Sequence, residues 1–250
     1  MNLFMSNTAA LPIIQILLTI LIVAYAIAFT PTLMAWLISV GIYALIGCFG
    51  ISIGYHRLLT HKSFKTSKFW ERFCTMMGTL AFTGSSIGWV GVHRDHHRFS
   101  DHPGDPHSPV QYGWKMLIAK YGFDANKWAV RGLITDSFHL FIHKYYFGIL
   151  AAWAIAITAL AGTWGLMHLV LIPGCISIWI STISNYMNHK WGYINYPTRD
   201  ESKNNWFNAI FTFGEGWHNN HHARPGSYDF GVKWWEFDPA ARIIDLIKRG

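Results

Sequence analysis

The chain has 250 residues, of which 52% are hydrophobic and only 13% are charged, which is well below the charge content of an ordinary soluble protein. Its formal net charge is +7, but the basic residues flank apolar segments, where anionic lipid headgroups account for them. The composition therefore favours an integral membrane protein that contacts lipid and no nucleic acid.

Two long stretches without Lys, Arg, Asp or Glu predict the spanning helices. Residues 1–56 are long enough for two helices of about 20 residues each, and Pro31 marks the turn between them. Residues 145–189 divide near Pro173 and Gly174 into a second pair. A cleaved signal peptide is the alternative for the first run, but no basic segment precedes it and the apolar stretch is too long. The predicted helices are 11–30, 33–54, 148–171 and 174–189.

The basic residues predict the orientation of these helices. All 20 of them fall within 57–72, 94–144 and 190–249, so the positive-inside rule makes 56–144, 190–250 and both termini cytoplasmic. The apolar segment 69–92 starts and ends on this side, which predicts an interfacial or re-entrant helix. The three cysteines form no CxxC pair and are expected to be buried free thiols. We expect one all-α membrane domain over 1–250, with four transmembrane helices in two hairpins and a cytoplasmic helical cap.

Eight of the 14 histidines lie in three short boxes at or beyond the cytoplasmic ends of the predicted helices. The boxes are His56-Arg-Leu-Leu-Thr-His61, His93-Arg-Asp-His96-His97 and His218-Asn-Asn-His221-His222. In an H-x-x-H-H box on a helix, the three imidazoles point to nearly one side and can serve one metal. The five-residue spacing of the first box gives a shared face only if the helix ends or tightens there.

Asn185 and His189, spaced i to i+4 at the end of the fourth predicted helix, add an amide oxygen and a ninth imidazole. Nine imidazoles exceed the three or four ligands of one zinc ion, which indicates two metal ions. Interfacial histidines bonded to water are the alternative, but such dense imidazoles would repel one another if protonated. Imidazole suits Fe, Cu, Zn and Ni, so the spacing leaves the metal open.

The strings HRLLTH, HRDHH followed by RFSDHPGDPHSP, and GEGWHNNHH resemble the three histidine boxes of membrane fatty acid desaturases. The likeness is strongest to the Δ9 branch, which includes stearoyl-CoA desaturases and acyl-lipid desaturases of cyanobacteria and plants, and it runs from about His56 to Trp235. The resemblance implies two iron ions, which zinc can replace in overexpressed protein. It implies metal ligands at His56, His61, His93, His96, His97, His189, His218, His221 and His222, with Asn185 acting through a water.

The family reaction uses O2 to convert two adjacent methylenes of a saturated acyl chain into a cis double bond, with water as the other product. The implied partners are an acyl substrate carried on CoA or a lipid and a separate electron donor, such as ferredoxin or cytochrome b5. A membrane di-iron hydroxylase of the alkane or sterol type is the nearest alternative, which the H-x4-H box and the DPHSP string disfavour. A non-enzymatic metal transporter would instead bind near the bilayer midplane on broken helices.

Other residues near the boxes receive supporting roles. Carboxylates should orient the imidazoles, and of Asp95, Asp101, Asp105 and Glu215 the two inside family-like strings, Asp105 and Glu215, are favoured. His102 and His107 are expected to support the ligands or to contact headgroups.

The remaining histidines and a glycine pair are expected to be structural. His139 and His143, placed before the third helix, should be interfacial, and His168 should lie too far away to reach the boxes. Gly50 and Gly54 indicate close helix packing or room for an acyl chain.

Overall fold

The computed structural model describes residues 10–118 and 128–249, so the predicted position of the N-terminus and part of the predicted segment 56–144 lie outside the described residues. Within the described ranges the chain is helical, as predicted, without β-strands and with three isolated β-bridges. The α-helices are α1 (Leu11–Phe29), α2 (Leu33–Leu45), α3 (Lys68–Leu80), α4 (Ser86–Phe99), α5 (Pro109–Tyr112), α6 (Arg131–Ile134), α7 (Ser137–Gly165), α8 (Ile172–Lys190), α9 (Trp206–Phe211), α10 (His218–Ala223) and α11 (Pro239–Ile247). Two π-helical segments, Ile46–Thr60 and Leu166–Leu171, follow α2 and α7, and the short 3-10 helix Gly113–Leu117 follows α5.

Three helical segments of the described chain are long and apolar enough to cross a membrane, rather than the four predicted. They are Leu11–Phe29, Leu33–Thr60 and Ser137–Lys190. The predicted break at Pro173 is wrong because this proline lies inside a continuous helical run, in the first turn of α8 directly after the π-helical segment Leu166–Leu171. The backbone instead leaves helical geometry at Gly162, with φ 61° and ψ −160°.

The segment Ser137–Lys190 folds back on itself although its helices follow one another directly. The hydroxyl of Tyr146 in α7 accepts a hydrogen bond from the Gly84 backbone N–H at 3.0 Å. Gly174 in α8 packs against Phe82, since a Cβ there would lie 2.5 Å from the Phe82 ring. A straight helix would separate Tyr146 from Gly174 by about 42 Å, at 1.5 Å per residue. Because both contact the same turn, the chain folds back between Tyr146 and Gly174 instead of continuing as one straight helix.

The first histidine box lies on the π-helical segment Ile46–Thr60, which prolongs the second predicted helix by six residues beyond residue 54. A π-helix bonds each N–H to the carbonyl five residues earlier, and the His61 N–H donates to the His56 carbonyl at 3.1 Å. Residues five apart therefore lie on one side. The sequence suggested that His56 and His61 could share a face only if the helix ended or tightened between them. The helix instead widens into a π-helix.

The apolar segment 69–92 forms parts of two helices, α3 and α4, rather than one. The chain turns between them, where Phe82 has φ 61° and Gly84 has φ 101°, and the Ser85 hydroxyl accepts the Gly88 N–H to begin α4. Gly50 of the π-helical segment faces α3 so closely that a Cβ would lie 2.3 Å from the Gly78 nitrogen. Gly54 similarly faces Cys74. The glycine pair thus allows close packing of antiparallel helices: α3 leads the chain away from the first box, and α4, which carries the second box, leads it back.

Candidate metal centre

The nine histidines predicted as ligands lie in two adjacent groups, within each of which one nitrogen per residue lies within 4.8 Å of the others. We call them site A and site B. Site A contains His56, His61, His93, His97 and His221, and site B contains His96, His189, His218 and His222. The rings of His97 and His222 are 4.5 Å apart between centroids, so the sites adjoin.

Each H-x-x-H-H box divides its histidines between the two sites. Helix α4 gives His93 and His97 to site A and His96 to site B, whereas α10 gives His221 to site A and its other two histidines to site B. Consecutive residues on an α-helix point about 100° apart, so His96 and His97 diverge. The three histidines of one such box therefore do not all lie in one group, although their spacing suggested a shared side. In the first box, the π-helical geometry brings the rings of His56 and His61 to 4.8 Å.

The imidazole nitrogens face one another at hydrogen-bond distance. Nε2 of His56 lies 2.9 Å from Nε2 of His221, and Nε2 of His189 lies 3.1 Å from Nε2 of His218. Four further buried nitrogens have no hydrogen-bond partner among the described residues, namely Nε2 of His61, His96 and His222 and Nδ1 of His221. An unsatisfied buried polar group costs about 1–3 kcal/mol, which a cation bound to the lone pair would offset. The donor sets of both sites therefore fit metal ions.

In four of these rings, Nδ1, the nitrogen that faces away from the site, is paired with a carboxylate. The pairs are His56 with Glu215, His96 with Asp105 at 3.0 Å, His189 with Asp101 at 2.7 Å and His222 with Asp200 at 2.7 Å. A carboxylate that accepts Nδ1–H leaves Nε2 with a lone pair directed inward, as a metal ligand requires. Asp105 and Glu215 were favoured from sequence, and Asp101 lies in the string after the second box. Asp200 was missed because it precedes its histidine by 22 residues in a loop without a motif.

Glu215 is also held by Arg57, a buried arginine inside the first box. The guanidinium of Arg57 lies 3.1 Å from Glu215 and 2.9 Å from Asp238, and it donates to the Tyr228 carbonyl. Burial alone would raise the pKa of Glu215, but His56 and Arg57 outweigh burial and lower it. Sequence reasoning did not single out Arg57, whose only signal was a charge at the end of an apolar helix.

The electrostatics of the centre suit cation binding at neutral pH. Burial, and then the other imidazoles, hold the pKa of His93, His97, His218 and His221 well below the usual value. Burial also lowers the pKa of His222 to about 4, although Asp200 opposes this shift. Burial would raise the pKa of Asp101, but its bond to His189 lowers it to about 2. Neutral imidazoles backed by charged carboxylates are the state that a metal ion needs.

Asn185 lies beside site B and contacts a further buried histidine. Its amide nitrogen lies 3.0 Å from Nδ1 of His107 and donates to the His107 carbonyl at 2.8 Å. The His107 ring stacks on His96 with 4.3 Å between centroids, and burial lowers the pKa of His107 to about 3. His107 thus supports the centre from within, whereas His102 is exposed at the surface.

The remaining histidines lie outside both sites. His139 and His143 are buried inside α7, which begins earlier than predicted because Asp136 accepts the Phe138 N–H at 2.9 Å. Their Nδ1 atoms contact the hydroxyls of Ser86 and Ser85 at 2.9 and 2.6 Å, where α4 begins. They therefore anchor the start of the helix that carries the second box. His168 contacts Ser39 and Tyr25, among the spanning helices.

A cavity leads from the two sites between the second spanning segment and α8. Its lining includes His56 and His93 of site A, His218 of site B, and Asn185, Ile51, Ser177, Gly47 and Tyr43. The rings of Phe213 and Tyr43, which also line the cavity, approach Gly47 closely, since a Cβ there would lie 3.1 Å from each, so a larger side chain would displace them. The cavity can hold an extended apolar ligand beside both metal sites.

Comparison with known proteins agrees with this geometry. The model of the fatty acid desaturase family matches residues 31–246. The chain is 35% identical to an sn-1 stearoyl-lipid 9-desaturase of Anabaena variabilis, over 88% of this chain and 84% of that protein. It is 33% identical to an acyl-CoA C20 Delta5-desaturase of Anemone leveillei, over 88% and 74%. It is 34% identical to an sn-2 palmitoyl-lipid 9-desaturase of a Nostoc species, over 82% and 75%.

Proposed function

Because the chain belongs to the fatty acid desaturase family, we propose that it inserts a cis double bond at the Δ9 position of a saturated acyl chain at a centre of two iron ions. It is an oxidoreductase and a fatty acyl desaturase with helices suited to a membrane. The Δ9 position is supported by relatives named as 9-desaturases. The observation that carries the proposal is that two adjacent groups of imidazoles open on one apolar cavity.

We assign one metal ion to the nitrogens of site A and one to those of site B, with Asn185 acting through a water at site B. Two iron ions held there would activate O2 and, with electrons from a separate donor, supply the oxidising power that removes hydrogen from two adjacent methylenes. The carboxylates of Glu215, Asp105, Asp101 and Asp200 keep the ring nitrogens of their histidines directed inward. The buried arginine holds Glu215 in its charged form.

The cavity determines which methylenes meet the centre. A saturated chain that extends from His56 towards Tyr43 would gain about 0.8 kcal/mol for each methylene removed from water. The apolar walls of the cavity exclude water from the reacting carbons, and the cavity places one carbon pair beside the two sites. The substrate is an acyl group on a lipid or on CoA, in keeping with the names of the relatives.

We further propose four membrane crossings in two hairpins within one domain over 1–250. The 54-residue segment Ser137–Lys190 would extend roughly 80 Å as a straight helix, more than twice the roughly 30 Å hydrocarbon core. Its turn lies near Gly162, and the basic segments and both sites then face the cytoplasm. The electron donor, such as ferredoxin or cytochrome b5, would approach from that side.

Expression in a host that makes no unsaturated acyl chains tests the proposed function. Lipid analysis should find monounsaturated chains with a Δ9 bond, and a time course of the lipid and CoA pools identifies the carrier. His221→Ala, expressed to the same level, is the matched inactive control. Hydroxylated chains without an olefin, or equal lipid profiles for both proteins, would contradict the proposal.

A further inference from the structure

An exposed apolar surface lies beside the metal centre, on the chain that follows the last spanning helix. We call it the aromatic patch. It comprises Trp206, Phe207, Ile210 and Phe211 of α9, and Val232, Trp234, Trp235 and Phe237. The side chain of Trp234 is 95% exposed and that of Phe237 is 64% exposed. A contiguous apolar surface of this kind marks contact with a partner or a membrane.

Helix α9 buries its polar side and exposes its apolar side, which is the reverse of a helix on the surface of a water-soluble protein. Its polar residue Asn208 is buried, and the amide donates to Ser184 at 2.7 Å and to Asn188 at 2.8 Å, both on α8. Its outward face carries the four apolar residues of the patch. In water the hydrophobic effect favours the reverse arrangement, so this face is built for an apolar surrounding.

The end of α9 is attached to the second spanning segment. The Tyr43 hydroxyl of α2 donates to the Phe211 carbonyl at the end of α9 at 2.7 Å. Tyr43 lies ten residues, or about 15 Å, from the start of α2 at Leu33, which is roughly half the thickness of the hydrocarbon core. The end of α9 therefore contacts α2 within its apolar part, two residues before α2 ends at Leu45.

The two parts of the patch adjoin, and a basic residue lies at its edge. Trp206 and Ile210 of α9 line the same cleft as Trp235 and Phe237. Nζ of Lys233 lies 5.6 Å from the Trp235 ring, within the C-terminal part. Tryptophan flanked by lysine is the composition found where a protein meets lipid headgroups.

We propose that the aromatic patch is inserted into the lipid bilayer, so that α9 and residues 232–237 form a membrane-embedded edge of the otherwise cytoplasmic segment 190–250. This inference goes beyond the reaction and depends only on the spanning helices lying in a bilayer. Thr212 and Phe213, which directly follow α9, line the cavity. Lipid contact at α9 would thus lie one layer of protein away from the acyl-binding cavity.

Site-directed fluorescence in proteoliposomes of phosphatidylcholine tests the proposal on the full chain. Phe207→Cys and Trp234→Cys, each labelled with bimane, should be quenched by lipids with a nitroxide on the acyl chain and be insensitive to aqueous iodide. Leu17→Cys on the exposed face of α1 is the lipid control, and Glu201→Cys in an exposed loop is the aqueous control. Ile210→Cys provides a second position in α9 if Phe207→Cys fails to fold.

The unsubstituted protein, whose three cysteines are buried, measures background labelling. Iodide quenching of the patch labels as strong as at the aqueous control would show a water-exposed surface and overturn the proposal. Labels that neither quencher reaches would show that protein, such as a second copy, covers the patch, which also overturns it. Neither outcome bears on desaturation, because no step of the measurement involves turnover.

Discussion

Replacing Asp200 by alanine should weaken metal binding at site B. The carboxylate lies 2.7 Å from Nδ1 of His222, and this bond and the charge of His222 lower the pKa of Asp200 although burial opposes the shift. Removing a carboxylate that orients a ligating imidazole typically costs 10–100-fold in metal affinity. That range corresponds to about 1.4–2.8 kcal/mol, at about 1.4 kcal/mol per tenfold.

The assay is competition between the purified protein and a chelator, with the bound metal counted per chain. Asp200→Asn keeps an oxygen that can accept Nδ1–H, so it should lose less affinity than Asp200→Ala. Glu201→Gln is the matched control, because its side chain is exposed and only its backbone N–H bonds Asp101, at 2.9 Å. Equal affinity in Asp200→Ala and Glu201→Gln would refute the assigned role of this carboxylate.

Three further changes test other parts of the account. The pKa of His222 is lowered to about 4, against about 6.5 in the unfolded chain, so the unfolded state takes up the proton first as the pH falls. The thermal midpoint and the metal content should therefore be highest above about pH 6.5 and fall towards pH 4. A flat pH profile would contradict this. Gly47→Leu should displace the Phe213 and Tyr43 rings and narrow the cavity, so that gas chromatography finds shorter unsaturated products. Gly41→Leu, with nothing within 4 Å, should leave the product lengths unchanged. Arg57→Leu leaves Asp238 buried without its cation and should lower the free energy of unfolding by about 3–5 kcal/mol, measured by denaturation. An unchanged stability would show that this ion pair does not stabilise the fold.

The spanning segments and the histidines could be predicted from sequence because each depends on short-range patterns. Absence of charge marks apolar helices, and the resemblance that rested on the boxes is confirmed by the family match. The break predicted within Ser137–Lys190 was placed wrongly because a proline inside a helical run looks the same in sequence as one in a loop. The turn near Gly162 depends on a backbone conformation that apolar composition does not reveal.

The geometry of the centre depends on features with no local signal. The π-helical segment changes which residues lie above one another, and its apolar sequence does not distinguish it from an α-helix. Asp200 reaches His222 only through the path of a loop. Which histidines of α4 and α10 share a site follows from how these two helices face each other, which is a tertiary property.

The metal content of an active preparation tests the central claim most directly. The protein should be purified from cells supplied with iron, shown to form an olefin, and analysed for metal and chain concentration in the same sample. Sites A and B together predict two metal ions per chain. One ion or none per chain in a preparation that desaturates would contradict the two-site centre.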